Sequence, residues 1–203
     1  SHFGYLEQPN KWGYYHDRIV KPFQRISPKI FCLSDGIKNI YEKELLIEKS
    51  NLYVTPNGVN TSKFKTRDPK YPDRSLYLAK IDYRKRQSMF QSISSLYYAG
   101  NNADPNFNTN INYLGEWSKE YLYNNLTDYG NLVLLSDGEA HPLVCMEALA
   151  AGLGVVVCEY GAANLDTTKE FITVIPENKI HDIEYVENQI IIKSSKNINN
   201  HSL

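Results

Sequence analysis

Short apolar runs alternate with helical patterns over most of the chain, and this alternation constrains the fold more than any other feature. KIFCLSD (29–35), NLYVTP (51–56), SLYLAK (75–80), SLYYAG (95–100), NINYLG (110–115), NLVLLS (131–136), GVVVCE (154–159) and FITVIP (171–176) each read as a strand. Between them, GIKNIYEKELLIEK, a short piece around RQSMFQSI, EWSKEYLYNNL and the run that follows His141 carry helical patterns. Asn57-Gly58 reads as a turn. Strands that are apolar on both faces and separated by helices form βαβ units on a parallel sheet covered on both sides. The expectation is an α/β, Rossmann-like parallel sheet with helices on both faces. Ligands of such sheets bind beyond the carboxyl ends of the strands.

Three regions follow from this pattern. Residues 1–28 are aromatic and Pro-interrupted and read as a linker or the tail of another domain; 29–176 form the Rossmann-like domain; 177–203 are an extension in which IIIK is strand-like and no helical pattern is clear. A formal net charge of -1 gives no reason to expect nucleic acid as a partner. Cys32, Cys145 and Cys158 lie in apolar runs without metal-type spacing, as expected of reduced packing residues in a cytoplasmic protein. No apolar run reaches the roughly 18 residues of a membrane span.

The stretch SDGEAHPLVCMEALAAGLGVVV (136–157) is the most informative. It leaves the NLVLLS strand through a Ser136-Asp137-Gly138 turn. Pro142 suits the first turn of a helix, where its missing N–H costs nothing. Leu143, Val144, Met146, Leu149 and Ala150 leave that helix almost no polar face, and Gly152 suits its left-handed terminus. A carboxylate at Glu147 is expensive there unless something binds it. Glu139 stands just ahead of a helix N-terminus, whose free N–H groups attract anions. Two carboxylates flanking an anion-attracting helix end match a ligand with hydroxyls, a diphosphate and more hydroxyls in that order, as in a sugar nucleotide. The residues alone also allow Glu139 as a helix cap and Glu147 as half of an internal ion pair.

This segment resembles the E-x7-E signature of GT-B glycosyltransferases of the GT4 family, with Ser136, Glu139, Ala140-His141-Pro142, Glu147-Ala148 and Ala151-Gly152 in the matching places. His141 stands where that family has an aromatic residue and Ala140 where it has Gly. YVTPNGVNTSKF (53–64) resembles the "pNGvD…F" segment that opens the family's carboxyl-terminal domain. LYLAKIDYRKRQ (76–87) resembles its "GR….KG" strand and loop, with Ala79 for Gly, Lys80 for Arg, Lys85 for Lys and Arg86 for the final Gly. NYLGEW (112–117) resembles its nucleobase-contacting strand end, and VVVCEYGAAN (155–164) a further strand and loop. The likeness covers about 28–176.

The resemblance implies one half of a GT-B architecture, the carboxyl-terminal donor-binding domain of a retaining glycosyltransferase. It implies Lys80 and Lys85 on the donor diphosphate, Glu139 on sugar hydroxyls, and Glu147 on the ribose. Backbone groups of Ala140, His141, Pro142, Leu143 and Val144 would face the sugar and phosphates, and Gly115 the base. Two lysines on a diphosphate need no metal, and no DxD motif is present, so a nucleoside diphosphate sugar is expected as donor substrate with no cofactor. The acceptor site of such enzymes lies on an amino-terminal domain, absent from this sequence. The expected partner is that domain, through which peripheral membrane association would also come, and the isolated half is expected to transfer nothing. A degenerate nucleotide-binding or scaffolding module, suggested by Ala79, Lys80 and Arg86, and a GT-B nucleotide-sugar epimerase are the alternatives.

Overall fold

The computed structural model describes residue 26 and residues 29–43, 46–65, 67–162 and 164–197, with side chains described as far as residue 193. Apart from Ile26, the expected linker over 1–28 lies outside the described residues, as does the tail beyond residue 197.

The main sheet holds five strands in the order β4-β3-β5-β6-β7, all parallel: β3 (Tyr71–Leu78), β4 (Leu96–Ala99), β5 (Tyr129–Leu134), β6 (Gly154–Cys158) and β7 (Ile172–Ile175). The central strands earn their burial from composition. Every residue of β5 and of β6 is buried, as the unbroken NLVLL and GVVVC runs require. The register pairs Val133 with Val156 and Val156 with Thr173, so the β-branched side chains stack across the sheet. Helix α2 (Lys119–Asn125) precedes β5, and α3 (Leu143–Ala150) connects β5 to β6 and packs on both. Gly152, at φ +85°, ends that connection in the left-handed conformation.

A second, two-stranded parallel sheet joins β1 (Ile30–Cys32) to β2 (Leu52–Val54), with α1 (Asp35–Lys43) between them. It has its own small core, in which Ile37, Tyr41 and Leu52 pack with Cys32. Ala140 belongs to that cluster, so the turn after β5 is shared between the two cores.

Four expectations are corrected. The tail carries no strand at IIIK: residues Ile183–Asn197 form helix α4, which packs across β3, β5, β6 and β7. The β-branched run misled because only every fourth position matters; Val186 and Ile190 are buried while Ile191 and Ile192 are exposed. The Ile190 carbonyl accepts from Asn131 Nδ2 at 3.2 Å, tying the helix to the sheet interior. NINYLG is not a strand but a single parallel bridge, Tyr98 to Tyr113. Asn112 takes φ +48° and breaks the extended run, its amide donating to the carbonyls of Ser94 and Leu96. Asn57-Gly58 makes no tight turn, and RQSMFQSI supplies one 3-10 turn, Gln87–Phe90.

Candidate functional site

The carboxyl ends of β3 and β5 bring two loops together. The first, Lys80–Arg86, leaves β3; the second, Ser136–Pro142, leaves β5. Asp137 N–H donates to the Arg84 carbonyl at 2.7 Å and stitches the loops directly. Arg86 adds a side-chain clamp, donating to Asp137 Oδ1 at 3.3 Å and to Glu177 Oε2 at 3.1 Å beyond β7. Its backbone is left-handed, at φ +57°, a conformation that favours the Gly of the family pattern. Asp82 Oδ1 accepts the amides of Arg84 and Lys85, which fixes the turn between them.

At that junction, the Lys85 ammonium pairs with the Glu139 carboxylate. Glu139 Oε1 also accepts from Ser136 Oγ at 2.7 Å. Both partners are mostly enclosed, with side chains 15% and 16% exposed, so the pair is less screened than a surface salt bridge. Lys80 is exposed at the end of β3, and its ammonium makes no ion pair with another described residue.

Glu147 sits inside α3 with its side chain only 9% exposed, and its Oε1 takes Lys119 Nζ at 2.5 Å. Lys119 was not singled out from the sequence. No sequence signal links positions 28 residues apart on two different helices. The structure therefore joins Lys85 to Glu139 and Lys119 to Glu147, whereas Lys80 has no ion-pair partner among the described residues.

His141 is buried. Its Nδ1 accepts the Asn57 amide at 2.9 Å, which carries the proton to Nε2 and anchors the 55–60 segment to the start of α3. Nε2 is enclosed and has no hydrogen-bond partner among the described residues. Burial holds the ring's pKa below its ordinary value, so it stays neutral. Pro142 precedes the helix and cannot donate. The Ala140 methyl is committed to the small core, so only its backbone remains for a ligand. Leu143 is exposed and Val144 half-buried at the helix start. Gly115, at φ +79°, has open space where a side chain would stand, and its carbonyl accepts from the Gly100 amide at 2.9 Å.

The three thiols are buried, and burial pushes each pKa up, Cys158 to about 12. They act as packing residues. Among the described residues no group of three or more His, Cys, Asp or Glu side chains gathers as a metal site. No described helix is long and apolar enough to cross a membrane.

No protein-family model and no curated relative matches the sequence. Solved structures do match the fold. TarM matches at a TM-score of 0.70 with 15% identity, over 100% of this chain and 47% of that one. HepE of Anabaena, solved in complex with UDP and glucose, matches at 0.72 with 12% identity, over 97% and 64%. WaaG, a glycosyltransferase involved in lipopolysaccharide biosynthesis, matches at 0.66 with 14% identity, over 93% and 65%. The chain thus spans between about half and two thirds of the length of these proteins. At such identities the likeness establishes the fold: an α/β parallel sheet corresponding to one half of a GT-B architecture.

Proposed function

We propose that this chain is the donor-binding part of a retaining, metal-independent glycosyltransferase that takes a nucleoside diphosphate sugar. The observation that carries the reading is the meeting of Lys85 and Glu139 at the carboxyl ends of parallel strands, with Glu147 further along the helix that follows. A fold shared with a protein solved in complex with UDP supports it. The family resemblance over the E-x7-E segment supports GT4 membership.

In this reading Lys85 and Lys80 bear on the diphosphate. Lys85 stabilises the charge that develops on the leaving nucleoside diphosphate, and the free amides at the start of α3 add to it. Glu139, already oriented by Ser136, accepts from sugar hydroxyls, and Glu147 from the ribose. Donor binding exchanges the Lys85–Glu139 pair for ligand contacts on each partner: phosphate oxygens for the ammonium, hydroxyls for the carboxylate. The preformed pair holds both side chains in place until then.

Titration calorimetry with UDP, GDP and ADP tests the reading. Binding in the micromolar-to-millimolar range that falls at least about ten-fold in Glu147→Ala and Lys85→Ala is expected. The chain alone is expected to transfer no sugar, so turnover by it would refute the part of the proposal that assigns the acceptor site elsewhere. One observation favours a second reading, a scaffolding module: both carboxylates already have internal partners. Absence of binding to all three nucleotides would favour that reading instead.

A further inference from the structure

We infer that Lys119 is a nucleoside-binding residue that works as a unit with Glu147, and that together they read the hydroxylated face of the ribose. The inference rests on the donor-binding reading above and adds to it a residue that the family pattern does not supply.

Lys119 is oddly placed for anything else. It is the first residue of α2, at the positive end of that helix, where a cation is electrostatically unfavourable. Its own helix gives it no partner; Ser118 already caps the turn by accepting the Tyr121 amide. The side chain instead reaches to another helix, 28 residues on, and meets Glu147 at 2.5 Å. Its side chain is 62% exposed while that of Glu147 is 9% exposed, so a solvent-accessible lysine meets a nearly buried carboxylate. The backbone from which it reaches is held firmly. The Trp117 ring packs at 5.0 Å from Tyr121 and 6.0 Å from Tyr129.

An ammonium has three donors and no acceptor, and a carboxylate has acceptors only. A hydroxyl has both. A vicinal diol entering here donates its hydrogens to Glu147 while its oxygens accept from Lys119, so each hydroxyl bridges the pair rather than displacing it. A carboxylate alone satisfies only the hydrogens of such a diol. Lys119 thus contributes affinity that depends on the presence of the hydroxyls.

The test measures Kd by calorimetry for whichever of UDP, GDP and ADP the wild-type chain binds, and for its 2′,3′-dideoxy counterpart. Lys119→Met removes the donors and keeps the unbranched apolar stem; Lys119→Arg keeps both charge and donors. The expected result is a loss of about ten-fold for the ribonucleotide in Lys119→Met, a change under about two-fold for the dideoxy form, and retention in Lys119→Arg. Equal weakening of both ligands would mean a general charge effect and would overturn the inference. Unchanged or tighter ribonucleotide binding in Lys119→Met would overturn it too, by making the lysine a bystander or a competitor. If the wild-type chain binds none of the three nucleotides, the donor-binding reading itself fails, an outcome distinct from the other two.

Discussion

Tyr77, sealed within β3, donates its phenolic hydrogen to the backbone carbonyl of Lys85. The phenolic oxygen in turn accepts the Leu135 amide at 2.8 Å, one residue before Ser136. One buried phenol therefore joins the two loops that carry Lys85 and Glu139. Burial pushes its pKa well above the ordinary tyrosine value, so it remains a neutral donor. With the Asp137–Arg84 backbone bond and the Arg86 clamp, the basic loop is fixed before any ligand arrives.

Tyr77→Phe keeps the ring and strips both bonds, leaving a buried amide and a carbonyl without partners. The expected loss is about 1–3 kcal/mol of stability, read from the urea midpoint at unchanged m-value. An unshifted midpoint would show that the two loops hold each other without the phenol.

Gly100 closes the strand β4 at φ +141°, and a Cβ built there would stand 1.9 Å from the Ala79 carbonyl oxygen. Backbone, not a flexible side chain, is what it would strike, at the end of β3 beside Lys80. Gly100→Ala should cost at least about 2 kcal/mol from strain and overlap together. A thermal melt as high as that of the wild type would contradict the close approach. Gly115→Ala meets no atom within 4 Å, so only its φ of +79° is strained, and it should lose less than Gly100→Ala in the same melt.

Arg86 opposes two effects at one residue. Its left-handed backbone costs roughly 1 kcal/mol relative to glycine, while its guanidinium satisfies Asp137 and Glu177. Arg86→Ala loses the clamp and keeps the strain; Arg86→Gly loses both. The glycine variant should therefore be more stable than the alanine variant by about 1 kcal/mol, with both below the wild type. Equal midpoints for the two variants would place the loop in a different backbone conformation.

The strands of the main sheet were legible because their burial on both faces leaves unbroken apolar runs such as NLVLL and GVVVC. The α4 helix was not, because IIIK obeys strand chemistry locally and its helical face, Val186 and Ile190, is set by the sheet it covers. At the site, the two carboxylates stand out through their spacing against an apolar background, whereas Lys85, inside a basic run, is marked only by the family resemblance of its loop. Lys119 and Tyr77 do not stand out, since a surface lysine and a strand tyrosine carry no mark of a partner across the fold. Arg86 could be read only as a departure from the glycine of the resembled pattern; its φ shows a left-handed backbone, which glycine adopts at least cost.

His141 offers a pH-dependent test of how the 55–60 segment is held. Its ring is buried and neutral, with the Asn57 amide on Nδ1. Folding depresses its pKa below the unfolded value of about 6.5, so the unfolded chain takes up the proton first and stability falls as pH drops. The contribution is fully present above the unfolded pKa and is lost progressively from there down to the folded one. His141→Asn offers Oδ1 to the same amide and cannot be protonated. Urea midpoints measured from pH 8 to pH 5 should decline more steeply in the wild type than in His141→Asn, the two curves separating only below about pH 6.5. Parallel curves would mean that the imidazole is free to ionise in the folded chain, and that its bond to Asn57 does not depend on a neutral ring.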